Sequence, residues 1–189
     1  MSILAALPPP SVLLEPANLV GSLALISSCV WPLLERRKAI FTVQVAGSVL
    51  FALHYLILGA STAAAMCLAG VFQGLAVVLL SNRLARIGVV GGLVAATMGA
   101  TALTWSGLPS LMSQLGQMAG AIGRLQMNTQ RLRLCFLVSV LFWTTHNLMV
   151  GSVFGLGADT LSLTALLVGL WRNRRGAQVQ AQGVAVAAN

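Results

Sequence analysis

Charge is what this sequence has least of. Only 7% of its 189 residues are charged, and just three are acidic: Glu15, Glu35 and Asp159. A soluble domain carries about 25% charged residues. So few charges cannot cover a water-facing surface of this size, and the solvent has to be mostly lipid. The shortage also removes reaction classes. There is no paired carboxylate set, no P-loop, no Gly-x-Ser-x-Gly and no His-Glu-x-x-His. Acid–base or metal chemistry would rest on His54, His146 and Asp159 alone, so neither an enzyme nor a bound metal or cofactor is expected. The three cysteines, Cys29, Cys67 and Cys135, are odd in number and show no Cys-x-x-Cys or Cys/His spacing. Lying inside apolar runs, they read as small buried hydrophobes rather than a disulfide or zinc site. The first residues lack the Lys or Arg that opens a secretory signal peptide, and Pro8-Pro9-Pro10 breaks any helix there. Residues 1–16 are therefore expected to form an uncleaved external segment.

What the chain does have is apolar length. Runs of about 20 residues, enough to cross ~30 Å of hydrocarbon, recur along it. The pattern predicts an all-α, polytopic transmembrane bundle of seven helices, at roughly 17–34, 39–58, 61–80, 87–106, 110–128, 132–150 and 154–171. The transmembrane domain spans 17–175. Residues 176–189, uncharged and rich in Ala, Gln and Gly, read as a disordered cytoplasmic tail.

The eleven basic residues account for a net charge of +8. They do not cluster among aromatics on one face, which argues against nucleic acid as partner. They sit in the breaks between apolar runs instead. Arg36, Arg37 and Lys38 follow span one, and Arg83 and Arg86 follow span three. Arg124, Arg131 and Arg133 surround the break after span five, and Arg172, Arg174 and Arg175 follow span seven. Every one falls after an odd-numbered span. The positive-inside rule makes that side cytoplasmic, giving a multi-pass inner-membrane protein with its N-terminus outside and its C-terminus inside. Arg124, within the last turn or so of span five, can snorkel to the interface.

Two segments resemble each other. Ser48-Val49-Leu50-Phe51 returns as Ser139-Val140-Leu141-Phe142, and His54 with Gly59 returns as His146 with Gly151. The offset is 91–92 residues, with one extra residue after the Phe of the second copy. Chance similarity between apolar segments is one explanation. A real repeat is the other, and it uses the only two histidines in register. It would make repeat halves of about 17–80 and 110–172 joined by a linker helix at 87–106. That is the 3+1+3 parallel plan of SWEET-type transporters, although their Pro-Gln pair is absent and Pro32 alone sits where a kink would help gating.

Ionisable groups inside the membrane are costly and mark function by default. His54 and His146 lie in the outer thirds of spans two and six, Asn147 beside the second, and Asp159 early in span seven. At ~1.5 Å rise per residue His146 and Asp159 reach similar depth on adjacent helices. They are expected to contact each other or share a polar cavity, or Asn147 to relieve the carboxylate. The pair fastens helices in one reading and forms a wall of a solute cavity in the other. Gln44, Ser48 and Tyr55 share a stripe of span two. Ser139, Trp143 and His146 do so on span six, and Gln73, Gln114 and Gln117 are further lining candidates. The candidate substrate-binding set is His54, Tyr55, Trp143, His146, Asn147 and Asp159. Gly70 with Gly74, Gly88 with Gly92 and Gly116 with Gly120 form Gly-x-x-x-Gly pairs suited to close helix packing.

His146-Asn147, Gly151-Ser152, Gly155 and Asp159, ending in Trp171-Arg172, resemble the YgjV-like family of bacterial inner-membrane proteins. The segment from Gln44 through His54 to Leu58-Gly59 is similar to that family's earlier half. The resemblance implies a bacterial inner-membrane location and brings no substrate or catalytic residue. Two functions fit: a SWEET-like transporter or facilitator of a small solute, and a non-transporting scaffold, sensor or assembly partner. Lipid is the expected partner in both, and both are compatible with a homo-oligomer.

Overall fold

A computed structural model describes residues 15–31, 34 and 36–187. Among them are seven helices and no strand: α1 (Pro16–Val30), α2 (Arg37–Ile57), α3 (Ser61–Leu79), α4 (Arg83–Leu103), α5 (Leu108–Leu125), α6 (Thr129–Val150) and α7 (Val153–Ala187). The segment expected to be external lies, up to residue 14, outside the described residues, as do Pro32 and Glu35.

Local chemistry sets the helix ends. Proline opens α1 and α5, where the missing N–H costs nothing. The Asn82 side chain accepts from the N–H groups of Leu84 and Ala85, and Asn128 from those of Gln130 and Arg131. These are two N-caps satisfying otherwise orphaned donors. Gly59, Gly107 and Gly151 have positive φ and turn the chain between helices.

Five helices are long and apolar enough to cross a membrane: α2, α3, α4, α6 and the Val153–Arg172 part of α7. The apolar α1 is shorter. The other helix outside the set, α5, carries Ser110, Ser113, Gln114, Gln117 and Arg124, all buried. Its polarity faces the bundle, where partners satisfy it, rather than lipid. The tail differs from expectation. Helical backbone continues past residue 172 to Ala187, consistent with the high helix propensity of its Ala and Gln residues. Residues 188–189 lie outside the described set.

Six helices close a ring in the order α1, α2, α3, α5, α6, α7, with α7 returning to α1, while α4 packs on the outside against α3 and α5. The ring has an apolar cluster of Phe41, Val77, Leu132, Phe136, Val140 and Leu166. Thr97 and Thr101 of α4 hydrogen-bond Gln114 of α5 at 3.3 and 2.9 Å, fixing the outer helix to the ring.

The helices of the ring start at matched intervals. Pro16, Arg37 and Ser61 open α1, α2 and α3, and Leu108, Thr129 and Val153 open α5, α6 and α7, each 92 residues after its counterpart. The sequence segments themselves match at a shift of 91–92. At a spacing of 92, Trp143 rather than Phe142 is the position that follows Phe51.

Candidate functional site

At the ring's centre is a cavity of ≈150 Å³ to which all six helices contribute. Ser28 comes from α1, Tyr55 from α2, Cys67 from α3, Gln117 and Arg124 from α5, Trp143 and Asn147 from α6, and Asp159 and Ser162 from α7. A second cavity of ≈150 Å³ lies between α1 and α2 and shares Ser28, Ser48, Phe51 and Arg124 with the first. The two are neighbours along one polar path.

A hydrogen-bonded chain crosses the central cavity. The Tyr55 hydroxyl donates to Asn147 Oδ1 at 2.7 Å, and Asn147 Nδ2 donates to Asp159 Oδ2 at 2.8 Å. The Asn147 amide is 1% exposed, so its donor and acceptor need such partners. Gly155 makes room for it, since a Cβ there would stand 2.5 Å from Asn147 Oδ1. Tyr55 stacks between Phe51 and Trp143, with ring centroids 5.9 Å away on either side.

His146 does not pair with Asp159. Its Nδ1 lies 2.9 Å from the Pro109 carbonyl, and the ring lines a separate cavity at the α2–α3 turn. The reason is helical phase: residues one apart on a helix point about 100° apart, so His146 and Asn147 cannot both face Asp159. Asn147 is the neighbour that does. His54 likewise stays off the central cavity, with Nδ1 3.0 Å from the Ala17 carbonyl and Nε2 3.0 Å from Ser152 Oγ. A carbonyl only accepts, so Nδ1 carries the proton in both rings. Of the six candidate residues, then, Tyr55, Trp143, Asn147 and Asp159 share the central cavity, and the two histidines brace its rim.

Arg124 corrects a further expectation. It does not snorkel but turns inward, 7% exposed, with Nη1 donating to Gln73 Oε1 at 3.2 Å and the guanidinium 5.8 Å from the Phe136 ring centroid. Its buried neighbours Gly70 and Gly120 leave it space. Cys67 and Ser162 also line the cavity although nothing in their sequence context singles them out. Ser139 binds the Gly116 carbonyl at 2.7 Å and is a helix fastener rather than a lining group. Among the described residues no cluster of His, Cys, Asp and Glu is suited to a metal ion.

Known proteins bear on this geometry in one respect. A profile of the Imp-YgjV family, described as a bacterial inner membrane protein, matches residues 16–177. The chain belongs to that family. The match covers α1 to α6 and α7 as far as residue 177, and with the apolar helices it makes the chain an integral, multi-pass inner-membrane protein. No curated protein and no solved structure matches the chain. Within this Imp-YgjV member, the site is therefore read from its own residues.

Proposed function

We propose that this protein carries a small polar solute through the centre of the six-helix ring, alternately exposing the cavity to the two sides of the membrane. The observation that carries the proposal is the composition of the cavity wall. Of its fifteen lining residues, ten are five pairs 92 apart: Phe51 with Trp143, Tyr55 with Asn147, Met66 with Ala158, Cys67 with Asp159 and Gly70 with Ser162. Tyr55 and Asn147 also bond directly to each other. A residue touches its own counterpart only close to an axis relating the two halves. The halves α1–α3 and α5–α7 thus meet at the cavity, where rocking of one against the other opens either side, as in parallel-repeat transporters. The Tyr55–Asn147 bond and the aromatic stack close the end bearing the α2–α3 and α6–α7 turns. The second cavity extends the path towards the other end.

Cys67 is a built-in reporter of this cycle. In a Cys29→Ala, Cys135→Ala background, a small membrane-impermeant thiol reagent is expected to modify Cys67 from the basic end. Tyr55→Phe, which removes the bond closing the opposite end, is expected to raise modification from that side several-fold. Protection of Cys67 from both sides in both proteins rules transport out. It would favour the second reading, a scaffold or assembly partner, which draws support from α4. Gly88, Gly91, Gly92 and Gly99 have nothing within 4 Å of an added Cβ, so this helix offers a small-residue surface that the ring does not use.

A further inference from the structure

The two histidines have the same Nδ1 bond and different Nε2 environments. His54 Nδ1 meets the Ala17 carbonyl and His146 Nδ1 the Pro109 carbonyl, positions 92 apart in both cases. His54 Nε2 then accepts from the Ser152 hydroxyl, and the Phe154 ring stands edge-on to His54 at 6.0 Å. Counting back 92 residues, Ser152 becomes Ala60 and Phe154 becomes Thr62. His146 Nε2 accordingly finds no hydrogen-bond partner, although the residue is 1% exposed. The volume that Phe154 and Ser152 occupy on one side is open on the other. It is a cavity of ≈240 Å³ lined by Ala60, Thr62, Ser106, Pro109, Ser110 and His146 among others.

The chemistry of this cavity is specific. No Asp, Glu, Lys or Arg lines it, so a charged guest would be desolvated without compensation. An apolar guest would leave His146 Nε2 unmatched. With Nδ1–H committed to Pro109, neutral His146 offers a lone pair at Nε2 and calls for a donor. Thr62, Ser106 and Ser110 form a hydroxyl cluster, Thr62 Oγ1 to Ser110 Oγ at 3.0 Å and Ser106 Oγ to Ser110 Oγ at 2.9 Å, able both to donate and to accept. The volume is about eight times the ~30 Å³ of a water in the liquid. We infer that this cavity binds a small uncharged solute rich in hydroxyl groups, one hydroxyl donating to His146 Nε2. The cavity shares no lining residue with the central one, and the inference stands apart from the transport proposal.

The test reads binding, not flux. The full chain is placed in lipid nanodiscs, free of any sugar-headed detergent. Saturation-transfer NMR then measures binding of erythritol, xylitol and glucose, with gluconate and glucosamine as charged controls. Saturable binding of at least one neutral probe is expected, with the charged controls at least tenfold weaker. Thr62→Phe, which restores the ring found on the other side, is expected to abolish binding. Ala60→Ser, which supplies the missing hydroxyl to Nε2, is expected to weaken it at least tenfold while leaving the thermal midpoint equal or higher. Binding that survives both substitutions overturns the inference. So does the absence of binding by every neutral probe, which would make the cavity a pocket for water only.

Discussion

Asn147 is the residue on which the central site turns, because its one amide serves two partners. Oδ1 receives the Tyr55 hydroxyl and Nδ2 holds Asp159. Truncating a buried hydrogen-bonding group leaves its partners unsatisfied, at about 1–3 kcal/mol for each group left unpaired. Asn147→Ala takes a partner from both the Tyr55 hydroxyl and the Asp159 carboxylate, whereas Asp159→Ala takes the acceptor from Asn147 Nδ2 and from the Thr144 hydroxyl, which keeps the Val140 carbonyl. The expected order of destabilisation is therefore Asn147→Ala above Asp159→Ala, with Glu15→Ala near zero because Glu15 is exposed. Unfolding of the purified protein in mixed micelles measures all three. An Asp159→Ala variant as stable as the native chain would mean that the carboxylate makes no net contribution to the fold. In the sequence, Asp159 stood out by rarity and its depth matched the end of α6. What was not legible was which of two adjacent residues faces it. Helical phase decides that, and it depends on how α6 rotates against α7.

At the scale of helices, the three Gly-x-x-x-Gly pairs look alike in sequence and differ in the fold. A Cβ at Gly74 would stand 2.6 Å from Val45 Cγ2, and one at Gly116 2.8 Å from the Trp143 ring. Both glycines sit where α3 and α5 press on α2 and α6, and alanine there forces the helices apart. Gly88 and Gly92 of α4 meet nothing, and glycine in a helix interior costs about 0.5–1 kcal/mol relative to alanine. Gly116→Ala and Gly74→Ala are thus expected to destabilise by about 1–3 kcal/mol, and Gly92→Ala to stabilise by up to ~1 kcal/mol. The same unfolding assay reads the signs. A destabilising Gly92→Ala that also lowers the oligomer mass in native mass spectrometry would show that a second copy packs on α4. Sequence periodicity predicts that a helix exists because its cause is local. Which glycine is crowded is set by the neighbour across the gap, so the same motif can be an interface in α3 and an outer face in α4. Arg124 was misread for a related reason. Its position near the end of α5 suggested a path to water, but Gly70 and Gly120 open a nearer space inside the ring.

At the scale of the whole molecule, charge and helix count constrain each other. Basic residues stand at the start of α2 (Arg36, Arg37, Lys38), α4 (Arg83, Arg86) and α6 (Arg131, Arg133), in the last turn of α5 (Arg124) and at the end of the apolar part of α7 (Arg172). In a bundle whose successive helices alternate in direction, these positions share one face. The two helices outside the set of clear membrane-crossers, α1 and α5, are the test of that alternation. Both are members of the ring, and α5 buries its polar residues against α3, α4 and α6 rather than exposing them. If α5 failed to cross, the basic residues opening α6 would lie on the side opposite those opening α2 and α4, against the positive-inside rule. With seven crossings, the positive-inside rule leads to the expectation of an outside N-terminus and a cytoplasmic C-terminus. A reporter active only outside the cytoplasm is expected to work when fused after Ser106, in the α4–α5 turn, and to fail after Arg172. A reporter that fluoresces only in the cytoplasm is expected to give the reverse. Equal behaviour of the two fusions would mean an even number of crossings between Ser106 and Arg172, where α5, α6 and α7 supply three. That result would remove one of α5, α6 and α7 from the membrane, and with it the central cavity that all three line.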